Sequence, residues 1–74
     1  MNIYFFKSRS SKKKMMMVVR TDRAQRAWKI LAHKKSQSIA SVKREYNLFY
    51  KVNSESEFSF VLTATDEIDY DCNV

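Results

Sequence analysis

The chain contains no glycine and no proline in 74 residues, and this restricts its turns more than any other feature. The commonest two-residue hairpin turn needs positive φ at both central positions, which only glycine adopts without steric cost. Reversals therefore fall to Ser, Asn, Asp and charged residues, and longer loops are expected. No internal repeat or Gly/Ser linker divides the sequence.

Residues 2–7 and 14–20 are runs of aromatic, methionine and β-branched residues separated by the polar stretch 8–13. They predict an N-terminal β-hairpin with a basic tip. A helix is expected from Thr21 or Asp22, either of which suits an N-cap, to Lys35, with Gln25 as capping-box partner of Asp22. At about 100° per residue, Ala24, Ala27, Trp28, Leu31 and Ala32 share one stripe and Arg23, Arg26, Lys29 and His33 the opposite one. Trp28 is expected at the centre of the core. Lys34 and Lys35 fall in the last turn, where cations suit the helix dipole.

Residues 36–45 fit both a helical and a strand period, and a short second helix capped at Ser38 is the preferred reading. From Tyr46 onward Tyr46, Leu48, Tyr50 and Val52 alternate with Asn47, Phe49 and Lys51. After a turn at 53–56, Phe58, Phe60, Leu62 and Ala64 alternate likewise, which predicts a second hairpin. The expected fold is α+β, in the order β-β-α-(α)-β-β. A single domain over 1–65 would hold a four-stranded, mainly antiparallel sheet of two hairpins with one main helix packed on one face, and 66–74 would form an acidic tail. If Ile3 and Phe5 face the helix, Tyr4 and Phe6 face away from it, on a partly open side of the sheet.

An apolar content of 45% and ten aromatic residues are ample for folding. A chain this short buries only roughly 60% of its unfolded surface, so a homodimer or a bound partner would add needed stability. Cys72 is a lone cysteine, which rules out an internal disulfide and fits a reducing compartment. The first apolar run precedes the first charges, unlike a signal peptide. The longest uncharged apolar run, Met15 to Val19, is far below the roughly 18 residues of a membrane span. A cytoplasmic protein with no membrane association is expected.

Charge is sharply segregated. Up to Lys51 the chain carries all 14 Lys and Arg residues against Asp22 and Glu45, a net of +12, whereas the remainder has six acids and no base. Such asymmetry points to a polyanion partner for the basic part, to an acidic end with a role of its own, or to internal pairing in which the acidic end neutralises the basic body.

Enzymatic signals are sparse. His33 is the one histidine, and as a general base in a minimal ribonuclease it would need Glu45, the one acid of matching position, beside it. Asp66, Glu67, Asp69 and Asp71 lack ligand spacing and read as a solvated acidic segment. No glycine-rich phosphate loop exists, so no catalytic residue, metal or cofactor is expected.

The basic residues make the stronger case. Arg9, Lys12, Lys13 and Lys14 sit among serines at the hairpin tip, Arg23, Arg26, Lys29 and Lys34 lie on the helix, and Lys43 and Arg44 form a third set. Such groups contact phosphate oxygens and release counterions. Tyr4, Phe6, Tyr46 and Tyr50 are candidates for stacking on unpaired bases. The sequence therefore reads as a small basic module that binds RNA or DNA. The alternative is a protein-binding regulator or inhibitor, of the kind found among phage and mobile-element proteins, acting through the Met15–Met17 and aromatic surface or the acidic end.

Overall fold

The computed structural model of the chain describes residues 2–10, 15–54, 56–57 and 69–73. Six elements follow one another: β1 (Asn2–Ser8), β2 (Met15–Thr21), α1 (Ala24–Lys35), α2 (Ile39–Glu45), β3 (Tyr46–Val52) and β4 (Asp69–Asn73). The class is α+β, as expected. No helix among the described residues is long and apolar enough to cross a membrane.

Three strands pair antiparallel in the order β3-β1-β2, and β4 joins the far edge parallel to β2. The first hairpin is present, with Tyr4 opposite Val19 and Phe6 opposite Met17. The rest of the sheet departs from the expectation. β3 pairs with β1 rather than with a neighbour in sequence, and the fourth strand comes from 69–73, within the stretch read as an acidic tail. The expected strand over 58–64 lies outside the described residues. The physical reason for β3's place is β1 itself. Ile3, Tyr4, Phe5 and Phe6 are buried one after another, and a strand apolar on both faces belongs inside a sheet, flanked on both edges.

Side chains on the two faces form two clusters. On the helix side Tyr4, Phe6, Met17, Val19 and Tyr46 meet Ala27 and Leu31 of α1. On the other side Ile3, Phe5, Met16, Val18 and Val52 are buried together. The expected facing of β1 is thus reversed: Tyr4 and Phe6 lie under the helix, and Ile3 and Phe5 face away from it. The second face, expected to be partly open, buries the five residues of its cluster to 3% exposure or less, with Phe49 partly buried beside them and Tyr50, paired with Phe5, exposed at 47%. The extra residue of β3 explains why its alternation breaks. Phe5 pairs with Tyr50 and Phe6 with Leu48, so Phe49 bulges, and Tyr46 and Leu48 fall on one face while Phe49 and Val52 fall on the other.

α1 buries Ala27, Leu31 and Ala32. Trp28, expected at the core's centre, is only partly buried and packs at its margin, its ring 4.6 Å from that of Phe6. α1 ends at Ser36, whose φ of 55° and ψ of 43° are left-handed. The Ser36 and Gln37 amides donate to the carbonyls of His33 and Ala32, the closure that glycine usually provides. α2 begins as expected, with Ser38 Oγ accepting from the Ser41 amide at 3.2 Å.

Candidate nucleic-acid interface

The first turn of α1 departs from the expected capping. Thr21 remains in β2 opposite Asn2, and its hydroxyl donates to Asp22 Oδ1 at 3.2 Å. Asn2 Nδ2 donates to the Asp22 carbonyl at 3.0 Å. With both candidates engaged in closing the strand-to-helix turn, Arg23 becomes the N-cap, in extended conformation and with no side-chain cap bond. No acid stands in the first turn. The helix therefore starts with cations at the positive end of its dipole, each an unfavourable placement of about 0.3–1 kcal/mol.

Arg23, Gln25, Arg26 and Lys29 line an open surface cavity of about 170 Å³. Asp22 Oδ1 stands 3.7 Å from Arg26 Nε across an exposed i,i+4 pair, a contact that contributes little in water. Desolvation opposes ionisation of the Asp22 carboxyl, but the Thr21 hydrogen bond and the Arg26 and Arg23 guanidiniums outweigh it and lower its pKa. Arg23, Lys29, Lys34, Lys43 and Arg44 are all exposed, and among the described residues none of the five forms an ion pair with a carboxylate. His33 is exposed too, one turn beyond Lys29.

A second basic group gathers where α2 runs without a loop into β3. The Arg9 amide donates to the Glu45 carbonyl at 2.9 Å. Its Nε reaches the carbonyls of Lys43 at 3.2 Å and Tyr46 at 3.1 Å. Arg9 thereby satisfies carbonyls that the end of a helix leaves open. It pins the end of β1 beside Lys43 and Arg44, a structural role that the sequence reading as a phosphate contact missed.

Lysines also cover aromatic rings. Lys43 Nζ lies 5.7 Å from the Trp28 ring centroid, Lys35 Nζ 5.5 Å from that of Tyr46 and Lys7 Nζ 5.1 Å from that of Phe49, within the range of cation–π attraction. Of the stacking candidates, Tyr4, Phe6 and Tyr46 are buried in the helix-side cluster, and Tyr50 is exposed at 47% on β3. Lys7 was not singled out from the sequence, and Gln25 and Lys35 were read there only as a capping partner and a last-turn cation. Each follows an element period already recognised there, and only the fold shows which ring or cavity it meets.

Lys12, Lys13 and Lys14 lie outside the described residues. His33 and Glu45 sit on different helices and share neither a hydrogen bond nor an ion pair. Comparison with family models, curated proteins and solved structures gives no match to this chain.

Proposed function

We propose that this chain binds nucleic acid through its phosphates, with no catalytic step. The supporting observation is the row Arg23, Arg26 and Lys29, exposed around one open cavity, with Arg23 and Lys29 unpaired among the described residues. A helix start that concentrates cations and lacks a cap works against its own stability, and such local conflicts mark functional positions. A phosphate placed there reverses the sign of the conflict. Lys34, Lys43 and Arg44 are exposed cations as well, and the Lys12–Lys14 segment adds positive charge on the sequence reading. The partner is RNA or DNA, the contact is electrostatic, and sequence preference is weak.

The test is fluorescence anisotropy with a labelled oligonucleotide across a salt series. Affinity should be greatest near roughly 50 mM salt and fall steeply as salt rises. Absence of binding at the low-salt end contradicts the reading. A protein partner is the second reading, supported by Tyr50 and Ile39, large apolar side chains exposed at 47% and 37%. They stand on separate elements, which makes them a weaker basis than the cation row.

A further inference from the structure

We infer that the preferred ligand is a double helix rather than a single strand, an inference that rests on the nucleic-acid reading above. Single strands are held by combining cations with aromatic faces on which unpaired bases stack. A duplex keeps its bases stacked upon one another and offers phosphates, so a surface that lacks free aromatic faces but carries exposed cations suits it better.

The described aromatic rings are disposed against stacking. Tyr4, Phe5, Phe6 and Tyr46 are at most 3% exposed. The two partly buried rings are already engaged. Trp28 has the edge-on Phe6 ring at 4.6 Å and the Lys43 ammonium at 5.7 Å. Phe49 has Phe5 at 6.3 Å and the Lys7 ammonium at 5.1 Å. An ammonium over a ring occupies the position that a base would take, and the attraction that holds it there must be broken before a base can enter. Among the aromatics whose side-chain burial is described, Tyr50 is the exposed one, and it pairs opposite Phe5, whose side chain belongs to the cluster on the face away from the helices. The cation row on α1 lies on the helix side of the sheet. A single strand would have to cross the molecule to use both.

The geometry of the row also favours a rigid ligand. From Arg23 through Arg26 to Lys29 and His33 the helix advances about 1.5 Å per residue, roughly 15 Å in all. A duplex places one phosphate per roughly 1.7 Å of axis, so several fall within reach of these long side chains without any change in nucleic-acid conformation. No base contact is required.

The test compares the full-length chain against a duplex DNA, a duplex RNA and a single strand of equal length and mixed sequence, at one salt concentration of about 100 mM. At least one duplex should bind five-fold or more tightly than the single strand, and Tyr50→Ala should leave every affinity within two-fold. A preference below five-fold for both duplexes, or a loss of more than two-fold on Tyr50→Ala, overturns the duplex assignment while leaving nucleic-acid binding in place. Failure of all three probes to bind even at about 50 mM salt overturns the underlying reading as well.

Discussion

Ser36 shows how a glycine-free chain manages a helix end. Its left-handed backbone closes α1 through the His33 and Ala32 carbonyls, although an L-residue pays roughly 1–2 kcal/mol for that conformation. Ser36→Gly should raise stability by about 0.5–1 kcal/mol, net of the extra backbone entropy of glycine in the unfolded chain. Chemical denaturation measures this, and a loss of stability would contradict the assigned geometry. Arg9 makes a different local contribution. Arg9→Ala removes the Nε bonds to Lys43 and Tyr46 and should cost about 1–2 kcal/mol. Its effect on nucleic-acid affinity, measured where the variant is folded, should be smaller than that of Arg23→Ala. Asp22 sets an acid-side dependence. Its folded pKa lies below the ordinary aspartate value of 3.8. Its stabilising contribution is therefore complete above that value and is lost as pH falls through the lower, folded one. The melting temperatures of the wild type and Asp22→Asn should accordingly differ slightly at neutral pH and converge in acid below 3.8.

Elements were legible in the sequence where one period dominated. The α1 stripe of Ala24, Ala27, Trp28, Leu31 and Ala32 faces the core as its spacing implies, and Ser38 caps α2. Rank within the stripe was not legible. Leu31 and Ala27 are fully buried while Trp28 sits at the margin, because the depth of a side chain depends on how the helix crosses the sheet. The start of α1 was hidden for a related reason. Thr21 and Asp22 are good caps, yet the pairing of Thr21 with Asn2 holds Thr21 in β2. This element carries its own prediction: Arg23→Asp supplies the missing cap and an acid at the dipole's positive end, which should stabilise the fold by about 1 kcal/mol. The same substitution should weaken nucleic-acid binding at least several-fold. A variant that gains both stability and affinity would refute the functional assignment of the α1 start.

At the scale of the whole molecule, the class was legible and the strand pairing was not. A run such as Ile3–Phe6 says that both faces of its strand are covered, but it does not name the strands that flank it. The preference of β1 for a central place draws β3 across from beyond two helices, and β4 takes the edge beside β2. The site was legible as a list of cations and not as an arrangement. The fold separates them into the α1 row, which lines an open cavity, and the group around Arg9, Lys43 and Arg44, which is tied to the α2–β3 junction. It also places three of the four expected stacking residues in the core. The central claim is that the α1 row meets phosphates directly. It is tested by measuring log K against log salt for the wild type and for the combined Arg23→Ala, Arg26→Ala and Lys29→Ala variant, with far-UV circular dichroism confirming that both are folded. Each phosphate contact contributes a slope of about 0.9 on a duplex, so the variant's slope should be shallower by about 2–3. A folded variant with the wild-type slope would show that phosphates bind elsewhere.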